Sequence, residues 1–321
     1  MKKGYAKSAQ DFNFCKKKFI HFALIILLCL HVCDGAAQIT YTWLPASTDW
    51  QVPANWTPAR TTIAVNDILA FNSGAAYTIT NIPTETIGQL LLSGNTTVNL
   101  QAEIAGNVLT VNGAAGDDLV VPSGSSLNIN GTSITTILLA ANTTGNITGG
   151  MAFSSAAHRM NAADAGAITF NSPAIFTQHT GCTGSVFTTT GTANAIVFNI
   201  GTAFIQNAGG NPFGLTQPAS KVFFNTGSLF KIQQNVFFST VGRTYANLEI
   251  NSSSFNQNLT GGGGAFTADD ITITQGQLNL DLTGGIHIKG NITVQPLQAL
   301  AFDPVSLNTL TFNGTSLQSI T

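Results

Sequence analysis

Apolar and polar residues alternate along this chain in short runs. Such runs sit at 90–92, 98–100, 109–111, 119–121, 127–129 and 137–139, and again at 271–273, 278–280, 286–288 and 292–294. Within each group a run begins six to eleven residues after its neighbour, and Gly, Asn, Asp or Ser stands between them. Successive side chains of a strand point to opposite faces, so a period of two broken by turn residues predicts strands and tight corners. From about Gln38 onward no stretch keeps apolar residues at helical spacing for three turns.

A motif overlies the alternation: an apolar residue, any residue, an apolar residue, then Asn, usually followed by a small or turn residue. It occurs at Leu69-Ala70-Phe71-Asn72, Leu109-Thr110-Val111-Asn112 and Leu127-Asn128-Ile129-Asn130. It recurs at 168–171, 196–199, 222–225, 248–251 and 310–313. In the central stretch the asparagines fall at 171, 199, 225 and 251, separated by 28, 26 and 26 residues. That spacing matches one turn of a coil with three short strands, in which two apolar residues face inward and Asn turns the corner. Asn suits a corner because it tolerates left-handed backbone and bonds to nearby backbone groups. The expectation is an all-β chain folded as a right-handed parallel β-helix, or solenoid, of about eleven coils and about 50 Å, at the spacing between strands. Two β-sandwiches in tandem are the alternative.

Three segments follow. Lys16, Lys17 and Lys18 precede an apolar run from Phe19 to Cys33, interrupted by His21 and His31, and then Gly35, Ala36 and Ala37. This is the pattern of a cleaved export signal over 1–37, shorter than a bilayer span of about 20 apolar residues. Residues 38–66 hold Trp43, Trp50 and Trp56 with Tyr41, Pro45, Pro53 and Pro58, and do not read as a coil. A stack must cover its first rung, so this segment is expected to be an aromatic cap; the functional reading is a glycan-contact platform formed by the three tryptophans. Residues 67–321 form the repeat region, which ends in the middle of a strand-like pattern at Ser319-Ile320-Thr321 and reads as incomplete.

Cleavage after Ala37 changes the charge that matters. It removes six of the 12 basic and two of the 14 acidic residues, leaving twelve acids, six bases and a net charge of −6. Six scattered cations exclude nucleic acid as a partner, because phosphate binding needs a dense basic face. Cys15, Cys29 and Cys33 leave with the signal, so Cys182 stays alone and no internal disulfide holds the chain.

Candidate chemistry is sparse. The adjacent acid pairs are Asp117-Asp118 and Asp269-Asp270, and neighbours in a strand point to opposite faces rather than converging. His158-Arg159 beside Asp164 is the most charged local cluster, and His158, His179 and His287 show no metal-ligand spacing. A Cys182 nucleophile served by His179 is conceivable from their closeness, against the commoner role of a lone thiol in packing. Gly261 to Gly264 lack the Lys and Ser or Thr of a phosphate-cradling loop and read as a flexible turn. No catalytic, cofactor or metal residues are expected.

The opening Thr40-Tyr41-Thr42-Trp43, with Trp50, Ala54-Asn55-Trp56 and Asn66-Asp67-Ile68-Leu69, resembles the N-terminal module of large secreted repeat proteins of Gram-negative bacteria. Asn211-Pro212-Phe213-Gly214, the stretch 242–248, and 310–314 with Gln318 and Ile320 also look like that family. The resemblance implies a β-helical stalk, secretion or display at the outer surface, commonly by the type IX route, and a C-terminal sorting domain that this sequence lacks. It supplies no catalytic residues. The functional expectation is a secreted or cell-surface structural, adhesin-like protein that is not an enzyme, is not integral to the membrane once its signal is cleaved, and has a surface glycan or matrix as its partner. The alternative is a carbohydrate-binding or polysaccharide-degrading β-helix.

Overall fold

The computed structural model describes residues 38–113, 115–188, 191–213, 221–261, 263–302 and 309–321. The expected export signal over 1–37 lies outside the described residues. One compact unit spans Ile39–Thr321. Its described residues are all-β apart from one short turn of 3-10 helix, Pro53–Asn55. Its strands stack in parallel as a solenoid of about eleven turns, consistent with a right-handed β-helix. Parallel pairing from coil to coil replaces the tandem sandwiches, whose strands would pair antiparallel.

Each coil presents up to three faces. The first face runs from Thr40–Trp43 through Ile68–Phe71, Gln89–Leu92 and Leu119–Val121 to Val222–Phe224. The second runs from Ala76–Ile82 through Thr97–Ala102 and Ser126–Ile129 to Leu229–Ile232. The third starts as Glu85–Ile87, Asn107–Val111, Thr135–Leu139 and Arg159–Ala162. Along each strand burial alternates, as the period-two pattern requires. In-register pairing then stacks each inward side chain on its counterpart one coil away. On the second face Val98, Leu127, Met151, Phe176, Phe204 and Phe230 form one such column. All six are at most 1 % exposed, and burying a side chain of this kind stabilises the fold by roughly 1.5–3 kcal/mol.

The central coils depart from the expected three strands. Their period of 28 and 26 residues is as read, from Ile168 to Ile196 to Val222. After Arg159–Ala162, however, the described residues hold no strand on the third face until the far part of Thr244–Gly261. The sequence there is rich in Thr, Gly and Ser and offers no alternating run. Single aromatics close the side instead. Phe187 packs on Phe176 at 5.0 Å, Phe213 on Phe204 at 5.6 Å and Phe238 on Phe230 at 6.0 Å. On the first face Phe170, Phe198 and Phe224 stack at 4.4 and 5.1 Å, the first two with parallel rings.

The asparagine motif also resolves differently. It ends strands on all three faces: Asn72 on the first, Asn130 on the second, Asn112 on the third. Asn171, Asn199 and Asn225 do share one corner, between the first and second faces. Asn225 Nδ2 donates to Asn199 Oδ1 (2.6 Å), Asn199 Nδ2 to Asn171 Oδ1 (2.7 Å), and Asn171 Nδ2 to Asn146 Oδ1 (3.0 Å). Asn146 then donates to Asp117 Oδ2 at 2.9 Å. None of these three corner asparagines has the left-handed backbone expected of it; Asn81, Asn95, Asn142 and Asn194 do. Asn251 does not belong to the ladder. Its strand pairs Ile250 with Ile232, so it follows the second face, and its amide bonds Glu249. The coil from Leu229 to Asn247 takes only 18 residues, which shifts the motif to another face while the sequence spacing stays at 26.

From there Thr244–Gly261 and Phe266–Leu282 each wrap all three faces as one long strand. The first face continues at 266–268, 286–288 and 310–312, and the second at 270–273 and 292–294. Asn199→Ala is expected to lower the urea midpoint by an amount equivalent to about 1–3 kcal/mol, since it removes two part-buried amide bonds. Asn251→Ala is expected to stay within about 0.5 kcal/mol, the level of an ordinary surface change. Equal effects of the two substitutions would remove the ladder from the account.

Candidate functional site

The three tryptophans do not form a platform. Trp43, Trp50 and Trp56 are 1 %, 2 % and 2 % exposed and pack edge to face, with Trp56 at 4.8 Å from Trp43 and 5.2 Å from Trp50. A sugar stacks on an open ring face, and these rings spend theirs on each other and on Phe71. The glycan-contact assignment is therefore corrected to a structural cap. Trp50 Nε1 donates to Glu85 Oε2 at 2.8 Å, and Trp56 Nε1 to the Trp50 carbonyl at 3.0 Å. Arg60, itself buried, bonds Asp67 at 2.9 Å and also Glu85, which ties the cap to the first full coil.

The first acid pair is structural as well. Asp118 is buried, and its Oδ2 accepts the Thr144 amide at 2.8 Å; Asp117 accepts from Asn146 and Thr144. The His158-Arg159-Asp164 cluster is pulled apart. His158 turns fully inward, Arg159 bonds the carbonyls of Ala157, His158 and Thr183, and Asp164 accepts the Asn142 amide at 2.5 Å. Cys182 is buried, with its sulfur 3.9 Å from the His158 carbonyl, and burial pushes its thiol up to about 11. His179 meets it only through backbone, while its imidazole faces Asn207. A protonated, enclosed thiol without a base is no nucleophile, so that pairing is discarded.

Asp269 and Asp270 do meet open space. They line a groove of about 400 Å³ with Thr226, Gly227, Asn247, Lys289, Gly290, Asn313, Gly314 and Thr315. These residues recur at one corner, where the first face turns into the second, on successive coils. It is the corner that carries the asparagine ladder lower down, and the groove opens just above Asn225. Two short bonds from backbone amides fix its wall: Gly290 N to the Asp269 carbonyl and Asn291 N to the side-chain Oδ1 of Asp270, both 2.6 Å. Glycine is required at 290, where a Cβ would lie 2.2 Å from Asp270 Oδ1. Gln318 staples the upper coil through its bonds to the carbonyls of Ile288 and Gly290. Asp269 Oδ1 stands 3.9 Å from Lys289 Nζ, whereas Asp269 Oδ2 is buried without a hydrogen-bond partner.

No known protein family, curated protein or solved structure matches this chain. Its functional reading thus rests on its own residues. Among the described residues, no group of three or more His, Cys, Asp or Glu side chains could hold a metal ion, and no helix is long and apolar enough to cross a membrane.

Sequence reasoning named the Asp269-Asp270 pair but not its neighbours. Asn225 and Asn313 belong to the recurring motif, yet Lys289 takes the Asn place in Ile286-His287-Ile288-Lys289-Gly290 and so escaped it. Reading that motif with any polar residue in the Asn place would have joined 222–225, 286–289 and 310–313.

Buried His158 carries a consequence for pH. Its Nδ1 accepts the Thr135 amide at 3.2 Å, which places the proton on Nε2, facing the Gly131 carbonyl at 3.0 Å. Burial, with Arg159 adding to it, holds its pKa below the ordinary 6.5. The unfolded chain therefore binds the proton more readily between the lowered value and 6.5. The stabilisation is complete above about pH 6.5 and is lost as pH falls through the lowered value. Urea midpoints taken from pH 7.5 down to 4.5 should fall below pH 6.5, and His158→Gln should flatten that part of the slope. An unchanged slope in the variant would assign the effect elsewhere.

Proposed function

We propose that the chain is a secreted or cell-surface structural, adhesin-like rod of a Gram-negative bacterium, without a catalytic site. The observation that carries this is the stack of parallel coils with a column of buried apolar side chains running through it. A column of this kind grows by about 4.8 Å per coil and is stiff along its axis, properties that suit a spacer or stalk. Its outward rows support the same reading. On the second face Thr78, Asn99, Asn128, Ala152 and Thr177 succeed one another, small and uncharged.

Export is supported by the signal pattern over 1–37 and by the resemblance to secreted repeat proteins, and matrix or glycan is the partner class such a rod would meet. Against catalysis stand the engagements already described: the Asp117-Asp118 pair is bonded to the neighbouring coil, and Cys182 is enclosed. Carbohydrate binding stays open as a second reading, moved from the buried tryptophans to the corner groove.

Two measurements test the rod and its export together. Mass spectrometry of the protein recovered from source cells should give an N-terminus at Gln38, and a membrane-impermeant label or added protease should reach it on intact cells or in the medium. Negative-stain electron microscopy should show an elongated particle about 50 Å long, the length of eleven coils. A chain recovered from the cytoplasm with Met1 retained would defeat the localisation, and a compact globule would defeat the rod.

A further inference from the structure

The corner between the first and second faces changes character along the axis. From Asn171 to Asn225 it is closed, each carboxamide donating to the one before it. Above Asn225 the same corner opens into the groove, and the side chains facing it no longer saturate one another. Among the described residues the carboxamides of Asn247 and Asn313 make no hydrogen bond, and Asp269 Oδ2 is buried with none. A buried acceptor left unpaired is costly, and such a group calls for an explanation.

We infer that this corner groove is a binding site for a neutral oligosaccharide, with Asp269 accepting a sugar hydroxyl through Oδ1, the oxygen on the Lys289 side, and Asn247 and Asn313 bonding along the chain of sugars. Every lining residue is polar or glycine. An apolar ligand would leave these polar groups unpaired. The backbone donors of the wall at Gly290, Asn291 and Gly314 are already bonded within the protein, so an added peptide strand finds no edge to pair with. What remains free is a mixture of side-chain donors and acceptors, which hydroxyl groups, being both, can satisfy. The lining carries two carboxylates and one ammonium, so its balance is negative and repels polyanions such as acidic polysaccharides. The groove crosses five coils, about 19 Å at the strand spacing, which fits several sugar units laid along the axis. Its volume of about 400 Å³ lies in the range of small-molecule sites. Among the described residues no aromatic ring lines it, so binding rests on hydrogen bonds and is modest in strength.

The inference deepens the rod reading by giving the rod a partner class, and the two fail separately. A blank binding experiment leaves shape and export untouched, and a cytoplasmic chain leaves the groove chemistry untouched. Calorimetric titration of the whole protein with cellohexaose, maltohexaose, xylohexaose and chitohexaose, and with a polygalacturonate hexamer as the acidic control, tests it. At least one neutral hexamer should bind and the acidic one should not. Asp269→Asn and Asn313→Ala should each weaken that binding about tenfold, while Asn251→Ala, away from the groove, should leave it unchanged. Circular dichroism and urea midpoints matching the parent protein establish that each variant is folded. Should Asp269→Asn unfold the chain, Asn313→Ala and Asn247→Ala carry the test, since both side chains are free of internal bonds. The inference is overturned if no neutral hexamer binds, if binding survives these substitutions in folded protein, if the acidic hexamer binds more tightly, or if binding needs added calcium, which would make the groove a cation site.

Discussion

Parallel pairing between neighbouring coils is the constraint on which everything else in this protein depends. A single coil holds only a few inward apolar residues and cannot enclose them alone; it becomes stable because the coils on either side supply the missing walls. Pairing must then be in register, because a shift by one residue would turn every inward side chain outward. The paired core of each strand is accordingly held in phase with its neighbours. The corners are not: coils take as few as 18 residues, from Leu229 to Asn247, and as many as 29, from Thr97 to Ser126, without disturbing the columns on either side. Much of the variation falls at the corners, which is where both the ladder and the groove lie.

The central coils reveal how much of the strand framework is dispensable. With two strands per coil, the third side loses a set of backbone bonds, and its core positions pass to Phe187, Phe213 and Phe238. Large rings suit that task because one side chain fills the width that several aliphatic residues of a strand would fill. The exchange brings polar groups under the irregular side. Lys221 is almost fully buried and bonds Asn161 Oδ1 at 2.7 Å, and Arg243 lies 4.4 Å over the Phe213 ring. Burial lowers the pKa of both. These cations hold the irregular side to the column much as Arg60 holds the cap.

What was legible in the sequence follows from what is periodic. Inward pairs such as Leu127 and Ile129, or Ile196 and Phe198, were visible because burial on one face of a strand leaves a period of two whatever the topology. The architecture followed from the recurrence of the motif, and the tryptophan segment was recognisable as a cap because it breaks that recurrence. The face on which a strand lies was not legible. Asn251 keeps the spacing of 26 and still sits on the second face, because sequence distance counts residues and cannot tell a short coil with a long strand from a regular one. Nor could local sequence reveal the groove, since Asn247, Asp269, Lys289 and Asn313 come from four different coils and share no spacing.

The same corner offers two ways of satisfying a polar side chain at a rung end. Where successive coils both place Asn after the first-face strand, the amides meet at the strand spacing and saturate each other, as at 171, 199 and 225. Once the next coil shortens, the residue above Asn225 is no longer an asparagine in phase but Ala246 followed by Asn247, and the ladder has nothing to bond. Asp269, Lys289 and Asn313 then arrive at the corner with mismatched lengths and charges, and cannot close it among themselves. The strands beneath stay rigid because their backbone bonds are untouched. An unsaturated row of polar groups on a rigid support is preorganised for a ligand, since little order has to be imposed when one binds. One shortened coil is thus sufficient to convert a structural seam into a surface with unmet hydrogen-bonding capacity.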